Sequence, residues 1–463
     1  MSKRNRKKHI KTIELMQQAV QTIPRLLEDG KGQEILQLLA DCQDAAIALG
    51  GHIEKLYGMQ TQTVAVLEQY CNALYQVSIA LNQLYELEDE SYLEEAQQML
   101  LDTVEELKQV TQQISLVYDV EFPERTEVVF LPYNASMWDS LESVWMAARD
   151  DADCEAYVVP LPYYYLDAND RVKEFHYEAD LYPDYVPITY YEDYELELRQ
   201  PDKIFIHNPY DECNNVVSIA PQFYSSRIKE FTDQLVYIPY FVLNEIEPDN
   251  QAAIENMKAF CVLPGVIHAD KVIVQSEKMR QIYINEYQKA FAENGVEISR
   301  ESLEEKILGL GSPKMDKVAK TKNEELEIPD EWWSIIKKED GTRKKIIFYN
   351  TSIAAFLKNS EQMLVKIQDV FRIFKERKED VALLWRPHPL MMQTVESMRP
   401  DLRETYKSIV QQYREEGWGI YDDSSDLDRA VVLSDAYYGD ASSVVQLYQE
   451  TGKPVMIQDV DIV

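Results

Sequence analysis

Cysteine is scarce in this 463-residue chain: Cys42, Cys71, Cys154, Cys213 and Cys261 lie far apart and are never spaced as CxxC. That excludes a disulfide framework or a zinc knuckle and suits a reducing cytoplasm. Proline is nearly missing from the first 120 residues, where Pro24 stands alone. Positive charge is short too: 47 Lys and Arg against 81 Asp and Glu leave a net charge of −34. Such an acidic excess excludes a general nucleic-acid binder, whose phosphate contacts need a basic footprint, and disfavours electrostatic adhesion to an anionic membrane. No apolar run approaches the roughly 18 residues of a spanning helix. The six basic residues of Met1–Lys11 are not followed by the apolar core of a secretory signal. No GxxxxGK[ST] loop, GxGxxG turn or GxSxG elbow occurs, and no His/Cys set has metal-ligand spacing, which argues against a P-loop enzyme, a dinucleotide oxidoreductase and a resident metal or cofactor. The triplet Asp151-Ala152-Asp153 precedes its strand and carries no weight as a DxD site.

What is present divides in three. Residues 10–118 are rich in Leu, Ala, Gln and Glu, with apolar side chains recurring at three and four: Val64, Leu67, Tyr70, Leu74, Val77, Leu81 and Leu84. This predicts amphipathic helices that bury a shared stripe, broken at Asp29-Gly30, at Gly50-Gly51 and in the acidic patch Glu86–Glu90, as a bundle or a homodimerisation element. After Phe122-Pro123 short apolar runs alternate with helical patterns. Strands are expected at Glu127–Leu131, Tyr157–Val159, Ile204–Ile206, Leu235–Ile238, Val272–Val274 and Ile307-Leu308. Beyond a linker at Gly309–Glu327 they resume at Lys345–Tyr349, Val381–Trp385, Gly419–Tyr421, Ala436–Tyr438 and Pro454–Ile457. Alternation of this kind predicts parallel sheets covered by helices. The fold class expected is α/β: a helical segment (1–120), then two doubly wound Rossmann-type domains (121–310 and 311–463) facing a cleft. Eleven aromatics crowd the 38 residues Tyr157–Tyr194, where they line a groove or pack an excursion over the sheet.

Ligands of doubly wound sheets sit at the carboxyl ends of strands, so chemistry is sought there. Asp440-Ala441-Ser442-Ser443 joins a strand to a helix, where unpaired N–H groups attract anions and Ser442 and Ser443 add hydroxyls; Ser442 is equally a plain N-cap. In Arg386-Pro387-His388-Pro389 the prolines stiffen a loop whose Arg386 and a cationic His388 could clasp a diphosphate. Thr351 and Ser352 end another strand and are read as a cap or a phosphate contact. In the first sheet, Asp139 follows the strand Glu127–Leu131, while His207 and Asp211 follow Ile204–Ile206. These three are the candidate general bases for an acceptor hydroxyl, each of them alternatively a turn or cap residue.

The order Gly311-Ser312-Pro313-Lys314-Met315-Asp316, Lys345–Ser352, Arg386-Pro387-His388-Pro389, Asp440-Ala441-Ser442-Ser443 and Gly452-Lys453-Pro454 resembles the CDP-glycerol glycerophosphotransferases. These are the teichoic acid primases and polymerases, of GT-B fold. The resemblance spans about 125–458 and is most specific from 305 onward. It implies a transferase that moves glycerol phosphate, or another polyol phosphate, from a CDP-activated donor to a hydroxyl of a polymeric or lipid-linked cell-wall acceptor. Cytidine monophosphate would leave, and no metal would be needed. By the same resemblance Ser312, Thr351, Ser352, Arg386, His388, Asp440, Ser442 and Ser443 face the donor, and the protein works in the cytoplasm or at the inner membrane face. Where the family carries Trp-His-Gly, this chain reads Leu235-Val236-Tyr237-Ile238-Pro239-Tyr240-Phe241, so the base falls to Asp139, His207 or Asp211. Two rival readings keep the architecture: a GT-B glycosyltransferase or epimerase using a nucleotide sugar, and a non-catalytic nucleotide-binding scaffold.

Overall fold

The computed structural model describes residues 1–86, 90–167, 169, 171–243, 245–424 and 426–458. The chain forms two compact units, each drawn from several stretches of sequence. One comprises Met1–Glu127, Ala152–Glu155 and Glu195–Asp202; the other comprises Val128–Asp151, Ala156–Tyr194 and Lys203–Val463.

The first unit is built on four long helices, α1 (Lys3–Glu28), α2 (Gly32–Tyr57), α3 (Gln62–Tyr85) and α4 (Leu93–Glu121). Ser2 and Thr61 cap α1 and α3 by accepting backbone N–H bonds, as residues with short side-chain oxygens do. The buried stripe Tyr70, Leu74, Val77 and Leu81 of α3 packs with Ile35, Leu39, Ile53, Val104, Leu107 and Ile114. The break expected at Gly50-Gly51 does not occur. Gly50 is buried inside α2, where burial of the helix's apolar stripe outweighs the roughly 1 kcal/mol helix penalty of a glycine. The helix ends instead at Gly58, at φ 86°. The acidic break at Glu86–Glu90 falls largely outside the described residues.

The second part of the chain carries β1 (Thr126–Leu131), β2 (Cys154–Val158), β3 (Tyr163–Leu166), β4 (Val172–His176), β5 (Lys203–Ile206), β6 (Val217–Ile219), β7 (Gln234–Tyr237), β8 (Lys271–Val274) and β9 (Ile307–Gly309). A six-stranded sheet has the order β2-β1-β5-β7-β8-β9, with parallel pairing from β1 to β9. The aromatic-rich stretch adds something the sequence did not suggest, an antiparallel sheet β4-β3-β6. Between β1 and β2 lie two helical elements: a 3-10 turn, Ala135–Ser140, and α5, Glu142–Asp150.

A second sheet, all parallel, follows: β10 (Lys345–Thr351), β11 (Val381–Pro387), β12 (Ile420–Tyr421), β13 (Ala436–Gly439) and β14 (Val455–Ile457), in the order β12-β11-β10-β13-β14. Its faces are sorted by the pleat of β10: Ile346 and Phe348 enter one core with Leu384 and Tyr437, and Tyr349 enters the other with Trp385, Tyr406 and Tyr413. Arg386 and Pro387 belong to β11 and not to the loop expected for them, paired with Asn350 and Thr351. Proline is tolerated there because it ends its strand. The linker expected at Gly309–Glu327 is partly structured, with a helix at Pro313–Lys320. In both sheets the strand order reverses beside the first strand: β1 lies between β2 and β5, and β10 between β11 and β13. Two doubly wound domains of this kind, preceded by helices, constitute a GT-B-like α/β architecture. No helix among the described residues is long and apolar enough to cross a membrane.

Candidate functional site

The reversal beside β10 opens a crevice at the carboxyl edge of its sheet, where such folds bind ligands. Asn350, at the end of β10, ties its walls together. Its Nδ2 donates to the Arg386 carbonyl at 2.9 Å, and its Oδ1 accepts from Ser442 Oγ at 3.0 Å. The backbone repeats the link: His388 N donates to Thr351 O at 3.0 Å and Asp440 N to Asn350 O at 3.1 Å. The loops Arg386–Pro389 and Asp440–Ser443 therefore converge. Ser352, Arg386, His388, Ser442 and Ser443 line one small cavity of about 90 Å³. Ser136, Tyr240, Phe241 and Lys314 close it from the side of the first sheet. A larger cavity of about 300 Å³ shares Ser136, Arg386 and His388 and adds Asn134, Glu178, Gln393, Asp422 and Ser424. That is the lower end of the volume taken by small-molecule pockets.

Within this crevice the side chains have distinct tasks. Arg386 is buried, its guanidinium 2.7 Å from Asp422 Oδ2 and 2.8 Å from the Ser424 carbonyl, so it fixes the loop after β12 while lining both cavities. His388 Nδ1 accepts from Leu390 N at 3.1 Å. Its surroundings are dry, and Arg386 and Lys314 lie nearby; together these push its pKa down to about 4. The imidazole is therefore neutral near pH 7 as the fold alone sets it, whereas the cation was expected beside a diphosphate. Asp440 is engaged as a buried strut: Oδ2 accepts from Ser352 N at 2.7 Å and Oδ1 from Lys366 at 2.8 Å. Burial raises its pKa even so. Thr351 turns inward and accepts from Trp385 Nε1 at 3.2 Å. Ser442 caps the helix Ser443–Gln449, and Ser352 caps Ile353–Asn359.

Ser312 does not join them. Its hydroxyl is buried with no hydrogen-bond partner among the described residues, and the residue borders a separate cavity of about 420 Å³ against β7, β8 and β9. His207 is a core residue: Nε2 accepts from Tyr133 N at 3.1 Å, so Nδ1 keeps the proton and donates to Ser140 Oγ at 2.9 Å. Burial, then Lys314, pulls its pKa to about 3. Asp211, at φ 44°, accepts from the N–H and hydroxyl of Ser225 at 2.9 and 2.5 Å, and burial raises its pKa to about 6. Neither His207 nor Asp211 lines the two cavities. Asp139 is linked to the crevice through Lys314, 2.5 Å away.

Sequence reasoning passed over Asn350, Glu178 and Lys314. Asn350 stood in the strand-end segment that was noticed for its hydroxyls, and Lys314 stood two residues past Ser312 in a helix read as linker. Glu178 could not be found by pattern, because the turn that brings its carboxylate to Ala135 N at 2.8 Å belongs to the unforeseen antiparallel excursion. Among the described residues no group of three or more His, Cys, Asp or Glu is placed to hold a metal ion.

No family model matches the chain, and no curated protein matches it. Solved structures do. S. aureus MnaA with UDP aligns at 12% identity over 72% of this chain and 78% of that one, with a TM-score of 0.44. UDP-GlcNAc 2-epimerase from Neisseria meningitidis bound to UDP-GlcNAc aligns at 10% identity, covering 73% and 84%, at 0.41. An α,α-trehalose 6-phosphate synthase from Burkholderia multivorans aligns at 10% identity, covering 71% and 80%, at 0.31. These likenesses are loose, and the architecture rests on the strand order and the crevice described above.

Proposed function

We propose that this protein is a GT-B-type transferase that takes glycerol phosphate, or a related polyol phosphate, from a CDP-activated donor and passes it to a hydroxyl of a surface-polymer acceptor. The observation that carries the reading is the convergence of Arg386–Pro389, Asn350–Ser352 and Asp440–Ser443 at the switch point of the second sheet, bridged by Asn350. In the reaction the acceptor hydroxyl attacks the β-phosphorus, a new P–O bond forms, and the bond to the α-phosphate oxygen breaks as cytidine monophosphate leaves, carrying away the hydroxyl proton on its phosphate. Ser442, Ser443 and the N–H groups beside them would take the charge that grows on the leaving phosphate, as preorganised donors do. His388 would hydrogen-bond to the same group, and a diphosphate beside it would favour its charged form. The two prolines flanking it hold it in place. The reading gives no proton to His207, whose two ring nitrogens are engaged inside the fold, or to Asp211, whose Oδ2 holds Ser225 away from the two cavities.

The test is donor-dependent release of cytidine monophosphate, with thermal-shift titration of CDP-glycerol, CDP-ribitol and UDP-sugars on the same protein. His388→Ala should abolish transfer and leave the unfolding temperature close to that of the wild type. Unchanged turnover in that variant, or stabilisation by UDP-sugars alone, would exclude the assignment.

A further inference from the structure

Lys314 faces two ways. It borders the small cavity with Asn350, His388, Ser442 and Ser443, and its ammonium lies 2.5 Å from Asp139 Oδ1, with both side chains under a tenth exposed. One turn further on, Lys317 is 2.8 Å from Glu142 Oε2 and 3.2 Å from Asp428 Oδ2. An ammonium has three donors. Asp139 takes one, and among the described residues Lys314 forms no other hydrogen bond. Asp139 in turn uses one oxygen, and its Oδ2 is buried with no hydrogen-bond partner among the described residues. A pair so incompletely satisfied in a dry setting is poised to change partners, because unspent buried donors are costly. Arg386, the neighbouring cation, is held more firmly, its guanidinium donating to Asp422 and to both the hydroxyl and the carbonyl of Ser424. What Lys314 lacks is a partner rich in acceptor oxygens on the cavity side.

We propose that Lys314 is the cation that receives the phosphoryl oxygens of a nucleoside diphosphate in the crevice, and that Asp139 is the positioning residue that holds the ammonium in place until the anion displaces it. The assignment rests on the reading of the crevice as a diphosphate site. It makes the two residues act oppositely on affinity, since the incoming anion competes with the Asp139 carboxylate. A pair that merely braced the fold would weaken binding whichever member was changed.

The experiment is calorimetric titration of the full chain with CDP, UDP and ADP at fixed salt, for the wild type, Lys314→Met and Asp139→Asn. Lys314→Met should weaken binding by about 10- to 100-fold, the worth of a charge-assisted hydrogen bond. Asp139→Asn should tighten it by several fold; because that variant keeps the shape of the pair, it remains informative if Lys314→Met does not fold. Equal affinity in all three proteins, or weakening by Asp139→Asn, would overturn the proposal. Binding of UDP or ADP in place of CDP would sink the donor reading alone, and the same comparison with that nucleotide would still judge Lys314. A wild type that binds none of the three would overturn both.

Discussion

Asp428 shows how strongly one side chain here depends on its neighbours. Burial, and then the charge of Asp139, push its pKa up to about 7, while Lys317 and Lys314 pull the other way. The folded chain therefore holds a proton on this carboxyl that the unfolded chain releases near pH 4. Its contribution to stability is present at low pH and is lost as pH rises from about 4 to 7. Asp428→Asn should remove that slope and raise the unfolding midpoint at pH 8 by about 2 °C, on the order of 1 kcal/mol, as calorimetry would show. A midpoint lowered at pH 8 would mean that Lys317 needs the charge. At this scale the sequence was legible only in part. His388, Ser442 and Ser443 could be picked out because strand ends and turn residues are local signals. The neutrality of His388, the tie of Arg386 to Asp422 and the core position of His207 all depend on residues distant in the chain.

Elements were easier to read than contacts. The strands of the second sheet lie where period and turn residues put them, because a sheet buried on both faces needs continuous apolar runs. The antiparallel excursion escaped notice for the converse reason: β4 is largely exposed, so its side chains show no alternation. The helix Pro313–Lys320 was hidden by its charge, since buried lysines are rare and a charged run reads as solvated surface. The join between β10 and β13 offers a test of the elements themselves. At Gly439 a Cβ would stand 2.3 Å from Asn350 O and 2.9 Å from its N, backbone atoms that cannot swing aside. Gly439→Ala should cost about 1–3 kcal/mol by forcing these strands apart. Nucleotide affinity should fall with the unfolding temperature, because the same Asn350 bridges the crevice. An alanine variant with wild-type melting and binding would show that the join is loose.

Over the whole molecule, three histidines set the response to acid, His9 and His207 buried and His388 half-buried. His9, in the helical unit, is bonded to Tyr118 and His52, and burial takes its pKa to about 3; His207 and His388 lie at about 3 and 4. Each is neutral when folded and protonates near 6.5 when unfolded, so its contribution is present above that pH and drains away as pH falls toward 4. Melting curves across this range should show the midpoint dropping, and His9→Phe should flatten part of the drop. A midpoint that climbs steadily down to pH 4 would mean that the carboxyl groups outweigh the histidines. The helical unit carries a further consequence, because it is sewn from three stretches of chain. Asp202 accepts from Lys3 N at 3.0 Å and from Glu127 N at 2.7 Å, and Glu127 accepts from Arg199 at 2.7 Å. Removing residues 1–118 should therefore give insoluble protein and not a trimmed, folded one, as a comparison of soluble yields would reveal. During synthesis α1 to α4 emerge from the ribosome well before Asp202 does. They can bury their apolar stripes against one another at once, but Lys3 and Glu127 must wait for a clasp that the tunnel has not yet delivered.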